Sequence, residues 1–461
     1  IKQSRTNLSH FSSKSRHSTL HCSSKQTTLI RIWCCVRHSF SIPLLLLENE
    51  GIVRTMSPPT TEQLQCWENN EEIKIFREYL RIPSVHPDID YDECIDFLRR
   101  QAATLNLPIE VYEVNPKKPV VIITWQGTDP AATSIILNSH MDVVPVYPEH
   151  WTHPPFSAHL DREGRIYARG AQDMKCVGVQ YLGAIRALKR DGVRLKRTLH
   201  VLFVPDEETG GVLGMKDFVR TERFRELNCG LALDEGDVAE DECLRVFYGE
   251  RIKRRVYFHI SGTPGHGSLL LKDTAGEKAR KLIDKLMDLR SSEAQKLADN
   301  PELTEGDITT VNLTMMQGGV QSNVVPPEFM ICFDIRATPK RSVAEFESQL
   351  EAWCEESGGG IRIDYGDKDP VVESTKLDGS NPFWGPFRDA LGETNLKVKT
   401  EIMSGNTDIL FVRELGIPSF GFSPIYKTQL LYHTHNEYLH AEVFLKGIDI
   451  YRKVIEAVAN A

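Results

Sequence analysis

Five short signals rich in carboxylate and imidazole recur along this chain in a fixed order: His140 in S-H-M-D-V-V, Asp173 in G-A-Q-D-M-K, Glu207-Glu208 in P-D-E-E-T-G-G, Glu235 in L-D-E-G and His433 in L-Y-H-T-H-N-E. Each follows an apolar run, where a strand would deliver it to the rim of a sheet. Two divalent ions about 3.5 to 4 Å apart can clamp the attacking and leaving oxygens of a displacement, and such a pair needs terminal ligands plus a bridge. Imidazole and carboxylate without thiolate suit zinc. Asp173 is the natural bridge, because a short carboxylate can present one oxygen to each ion. Metal-assisted hydrolysis is the chemistry these residues point to.

Glu207 and Glu208 divide the labour. Neighbours on an extended segment point to opposite sides, so one binds metal while the other handles protons. Glu207 is the expected general base, taking a proton from water activated by the ions and passing it to the leaving amine. Asp142 lies two positions after His140, which returns it to the same face of an extended chain. There its carboxylate can accept the second ring N–H of His140 and fix the tautomer. An Asx turn before Val143-Val144-Pro145 is the competing reading for Asp142. Two choices stay open on the residues themselves: Asp234 or Glu235 in L-D-E-G, and His433 or His435 in H-T-H-N-E.

The motifs S-H-M-D-V-V-P, R-G-A-Q-D-M-K, D-E-E-T-G-G, L-D-E-G, G-H-G-S and H-T-H-N-E resemble those of the co-catalytic zinc amidohydrolases, a family that holds carboxypeptidases, dipeptidases and aminoacylases. The likeness runs from about Thr60 to the C-terminus and is strongest to the aminoacylase branch. It implies that His140, Asp173 and Glu235 hold one zinc, that Asp173, Glu208 and His433 hold the other, and that Glu207 is the base. It further implies that His266 of G-T-P-G-H-G-S, carried on a lid, polarises the scissile carbonyl in the active site of a partner subunit. Asn323 in Q-S-N-V-V-P, Arg336 in F-D-I-R-A and Gly405 in M-S-G-N-T-D match positions that bind substrate. A guanidinium fork suits a free carboxylate, and a glycine lets backbone come close. Read without the likeness, G-T-P-G-H-G-S is a turn cluster, Arg336 is a surface partner of Asp334, and Gly405 is a turn residue. Ser404 stands where relatives often carry a second glycine.

These side chains need elements to hold them. Val120 to Thr124, Thr133 to Leu137, Leu199 to Val204 and Leu231 to Leu233 are largely apolar runs of strand length, as in a sheet covered on both faces. Met174 to Arg190 carries apolar residues at helical spacing and is closed by Asp191-Gly192. Alternation of such runs predicts a mostly parallel α/β/α sandwich with its site beyond the carboxyl ends of the strands. Between about Phe247 and Tyr365 the pattern becomes strand Arg254–Ser261, helix Thr274–Arg290, strands Ile308–Met316 and Phe329–Ala337, helix Val343–Ser357 and strand Ile361–Tyr365. That βαββαβ order predicts an inserted ferredoxin-like unit. The expected division is 60–246 with 366–461 for catalysis and 247–365 for a lid, through which family members pair as homodimers.

At 461 residues the chain is long enough for two domains, and 41% hydrophobic with 26% charged residues is the composition of a globular protein. The first 47 residues carry seven lysines or arginines and no acid, so the rest carries −16 of the net −9. An acidic body argues against nucleic-acid binding. Residues 1–59 are expected to be a disordered extension, rich in Ser and Arg and with an apolar stretch, Ile42 to Leu47, too short to span a bilayer. Met56 reads as a better natural start, with an organelle signal as the second reading of this segment. Ten cysteines without C-x-x-C spacing form neither a disulfide framework nor a structural zinc site, so the reducing cytosol is the simpler setting. Cys176 is assigned no role, and His150, His153 and His159 read as surface-loop residues.

The expectation is a dizinc hydrolase that splits small N-acyl-L-amino acids, needs no membrane, and works as a homodimer. A dipeptidase or carboxypeptidase using the same machinery is the enzymatic alternative. A catalytically silent metal-binding interaction protein is the alternative of another class, against which an intact Glu207 argues.

Overall fold

The computed structural model describes residues 59–461; the extension expected over residues 1–59 lies, but for Pro59, outside the described residues. Thr60 opens the first helix, Thr61–Asn69, through a capping box with Gln63, and the side chain of Asn70 caps Glu71–Leu80 at once after it.

Eight strands form the large sheet, in the spatial order Ile109–Asn115, Lys118–Trp125, Leu199–Val204, Ser134–His140, Cys229–Asp234, Ser419–Gly421, Cys243–Glu250 and Lys397–Met403. The central run from Leu199–Val204 to Ser419–Gly421 is parallel, while Lys118–Trp125 runs antiparallel to both of its neighbours. Alternate residues serve opposite faces. Val121, Ile123, Ile135, Leu137, Val201 and Phe203 pack with the helices Lys175–Arg190 and Ala441–Ala459 in one core. Val120, Ile122, Ile136, Leu202 and Val204 pack with Met215, Phe218 and Ile409 in a second. Both faces are therefore covered, which is why these strands read as continuous apolar runs.

The expected strands and helix of this sheet fall close to their predicted bounds. Helix Lys175–Arg190 ends at Asp191 with Gly192 at φ +73°, a left-handed conformation that glycine adopts without strain.

The inserted segment builds a separate antiparallel sheet in the order Thr310–Gly318, Glu328–Ala337, Ile252–Ser261, Ile361–Lys368, with helices Ala275–Asp299 and Val343–Glu356 packed on it through Val256, Phe258, Leu282, Phe333 and Phe346. Numbered along the chain the strands lie 2-3-1-4, the ferredoxin-like arrangement. Two bounds differ from expectation. Strand Cys243–Glu250 pairs within the large sheet, so the chain passes from one sheet to the other at Arg251 rather than at Phe247. Helix Ala275–Asp299 runs well past Arg290, because its later turns are polar and exposed and carry no apolar period to read. Among the described residues no helix is long and apolar enough to cross a membrane. The seven cysteines among them are unpaired.

Candidate metal centre

Strand Ser134–His140 ends in a fully buried histidine. Nδ1 of His140 lies 2.8 Å from the backbone oxygen of Asp142, which leaves Nε2 facing Asp173 Oδ1 at 3.0 Å and Glu235 Oε1 at 3.6 Å. The orienting acceptor is thus the carbonyl of Asp142, not its carboxylate, which stands 3.6 Å from the ring. This corrects the expected contact: the chain bends after His140, so the Asp142 side chain turns toward Glu207 and Glu208 and accepts their backbone N–H groups at 3.3 and 3.1 Å.

Asp173 comes from a turn ahead of helix Lys175–Arg190, not from the end of a strand as expected. The buried Glu437 carboxylate shapes that turn, accepting from Arg169 Nη1 at 2.6 Å and from the amides of Gln172 and Gly170 at 2.7 and 3.2 Å. Burial pushes the Glu437 carboxyl up to about 7 against the pull of Arg169. Glu437 closes the H-T-H-N-E motif, where it stood in plain sight without a role.

Glu207–Thr209 forms a 3-10 turn after strand Leu199–Val204, entered through Asp206 at φ +58°, so the two glutamates diverge on a turn and not on an extended segment. Glu208 Oε2 meets His433 Nε2 at 3.0 Å, and His433 Nε2 meets Asp173 Oδ2 at 3.1 Å. His433 sits in a loop with φ +60°, also not at a strand end. His435 faces away and packs beside His150, with ring centroids 5.0 Å apart. The open choice in L-D-E-G resolves similarly. Asp234 is committed to Asn138 Nδ2 and to the amides of Glu235 and Ile409, while Glu235 turns to His140.

Two triads result: His140, Asp173, Glu235 and Asp173, Glu208, His433, the donor atoms of each within 4.8 Å of one another. Asp173 belongs to both, with Oδ1 toward one imidazole and Oδ2 toward the other. The residues fit a pair of divalent cations. Four carboxylates, those of Asp173, Glu207, Glu208 and Glu235, crowd around two imidazoles, and Glu208 Oε1 is buried with no hydrogen-bond partner among the described residues. Bonds to Asp173 and Glu208 lift the His433 imidazole to about 10, and burial beside like charges pushes Glu207 and Glu235 well above the usual carboxylate range.

Glu207 opens onto a cleft of about 320 Å³ that is also lined by Glu208, Lys253, Arg336, Asn406 and Asp408. Arg336 points its fork at Asp334, with Nε–Oδ1 at 2.7 Å and Nη2–Oδ2 at 3.3 Å, and its Nη1 at Asn406 Oδ1 at 3.2 Å. The Asp334 pair, the competing reading from sequence, is therefore present, on an arginine that lines the cleft. The ammonium of Lys253 has no ion-pair partner among the described residues. Sequence reasoning missed it, because I-K-R-R offers no motif. Gly405 makes no close approach: a Cβ built there meets nothing within 4 Å. His266 and Asn323 are exposed neighbours at the tip of the inserted unit, where His266 Nδ1 lies 2.8 Å from Ser268 Oγ and Gly267 donates to the Asn323 carbonyl at 2.7 Å. Among the described residues neither joins the triads or lines the cleft.

The family described as peptidase family M20/M25/M40 matches residues 136–457. In sequence the chain is 46% identical to Aminoacylase-1A of Rattus norvegicus over 84% of this chain and 95% of that protein, and 45% identical to Aminoacylase-1 of Homo sapiens over 85% and 96%. Aminoacylase-1 of Dictyostelium discoideum is 40% identical over 85% and 98%. In structure it resembles a family M20 metallo-carboxypeptidase from Sulfolobus solfataricus, at TM-score 0.62 and 20% identity over 85% of this chain and 99% of that one. A dinuclear metal-binding M20 peptidase from Bacillus subtilis is alike at TM-score 0.62 and 17% identity over 86% and 99%.

Proposed function

Because the chain belongs to peptidase family M20/M25/M40, we propose that it hydrolyses N-acyl-L-amino acids to a carboxylate and a free L-amino acid, with metal ions as cofactor. The observation that carries this is the pairing of near-full-length likeness to aminoacylases with an aspartate shared by two donor triads. Dipeptidase and carboxypeptidase relatives share the fold at much lower identity, and Glu207 stands ready in the cleft, as a silent protein would not require.

The donor set suits two zinc ions per subunit, held by His140, Asp173 and Glu235 and by Asp173, Glu208 and His433. When bound, they supply Lewis acidity to the amide carbonyl and to the attacking water. Glu207 takes the water proton as the oxygen adds to the carbonyl carbon, then returns it to the nitrogen as the C–N bond breaks. Its burial raises its proton affinity, which suits that shuttle. Asp142 holds the Glu207 and Glu208 amides in place. Arg336 and Lys253 give the cleft its cationic side, where a substrate carboxylate would sit, with Asn406 beside Gly405 closing the wall.

His266 and Asn323 are exposed and are not among the residues lining their own chain's cleft, which favours delivery into that of a second subunit. Exposed Leu269, Leu270, Met316 and Val320 on the same unit supply apolar surface for such pairing. The inserted unit, 251–368 once its bounds follow the two sheets, is thus a lid and dimerisation element on the catalytic body that flanks it. A homodimer in the reducing cytosol completes the reading. The test compares hydrolysis of N-acetylmethionine and of a dipeptide before and after chelation, with zinc added back. Metal-dependent release of methionine is expected; turnover of the dipeptide alone would end the aminoacylase reading.

A further inference from the structure

We propose that His86 is a positioning residue for the turn that carries the base, acting through Asp142. The segment Ser84–His86 runs parallel to Met141–Val143 and is zipped to it: Val143 N–H donates to Ser84 O at 2.8 Å, His86 N–H to Val143 O at 3.3 Å, and Ser84 Oγ to Met141 O at 2.5 Å. This brings His86 Nε2 to 2.7 Å from Asp142 Oδ2, across 56 positions of sequence. The Asp142 side chain is fully buried and that of His86 is 11% exposed.

The Asp142 carboxylate has three jobs at once. It accepts from His86 on Oδ2, from the Glu208 amide on Oδ2 and from the Glu207 amide on Oδ1. The two amide bonds are long, and the imidazole bond is the short one. Without it a buried carboxylate is held only by two weak donors and is free to rotate about its Cβ–Cγ bond, which releases the amides of the base and of its neighbour together. Among the described residues His86 makes no contact with the metal-ligand triads, so its effect passes through Asp142 to the turn that carries Glu207. Nothing in R-I-P-S-V-H-P announces this, since the pairing exists only after the two segments align.

The inference is separable from the reaction proposed above, although its kinetic arm rests on it. His86→Met keeps bulk and removes the donor; His86→Gln restores an N–H at similar reach. Hydrogen exchange is followed by mass spectrometry on the metal-free protein, comparing the peptide over 206–211 with the neighbouring strand Leu199–Val204. The Met variant should exchange about tenfold faster in the turn alone, and the Gln variant should recover most of the protection. In the metal-loaded enzyme kcat should fall about 10- to 100-fold with KM held within about twofold, again rescued by Gln. Exchange that is unchanged, or that rises equally in turn and strand, overturns the proposal, as does a Gln variant no better than Met. Failure of the wild type to release amino acid would refute the reaction and leave the exchange result standing.

Discussion

Asp173 places its two oxygens toward two different imidazoles, and this is a property of one side chain that the residue pattern alone made readable. The donor types in L-D-E-G and H-T-H-N-E left pairs of choices that only geometry resolved, because Asp234 and His435 differ from Glu235 and His433 in direction and not in chemistry. Residues whose work depends on a distant partner were invisible in the sequence. His86 meets Asp142 only across aligned segments, Glu437 meets the Gly170–Asp173 turn from the far end of the chain, and Lys253 gains meaning from the cleft around it. Lys253 yields a prediction. With the Arg336 fork engaged by Asp334, the Lys253 ammonium, which has no ion-pair partner among the described residues, is the better-placed partner for a substrate carboxylate, so Lys253→Met should raise KM for N-acetylmethionine roughly tenfold and leave kcat nearly as it was. Steady-state kinetics measures this; an unchanged KM removes Lys253 from substrate binding.

Strands of the large sheet were legible because both faces are buried, and a two-faced strand has to be apolar throughout. The 3-10 turn of Glu207–Thr209 was not legible, since its shape is set by Asp142 accepting its amides rather than by its own residues. A buried histidine in one of these strands gives an element-scale expectation. Burial, aided by the nearby Arg223 charge, holds the His200 imidazole down to about 4. Unfolded, the ring takes a proton near pH 6.5; folded, it resists until near pH 4. Stability from this group is therefore present above about pH 6.5 and declines as pH falls toward 4. Between pH 7 and pH 5 the wild type should lose about 2 kcal/mol more than His200→Gln, read from urea unfolding at each pH. Equal losses in the two proteins would clear His200 of that role.

At the level of the whole molecule, the triads gather residues around the large sheet while the inserted unit carries His266, and the βαββαβ order of that unit was readable from strand and helix periods that its own core enforces. How the two units cooperate was not readable, because cooperation across copies leaves no period in one chain. Mixing inactive His266→Ala and Glu207→Gln subunits tests it: exchange of protomers should restore up to about a quarter of wild-type turnover per mixed population if each site borrows a histidine from its neighbour. No recovery on mixing would confine His266 to its own protomer. The spacing of the donors has a further consequence, for biosynthesis. His433 lies 260 positions beyond Asp173, whereas His140, Asp173 and Glu235 leave the ribosome together, before the inserted unit is made. Yet Glu437, which holds the Gly170–Asp173 turn, is made later still, so neither triad can take its final shape until the end of the polypeptide has emerged.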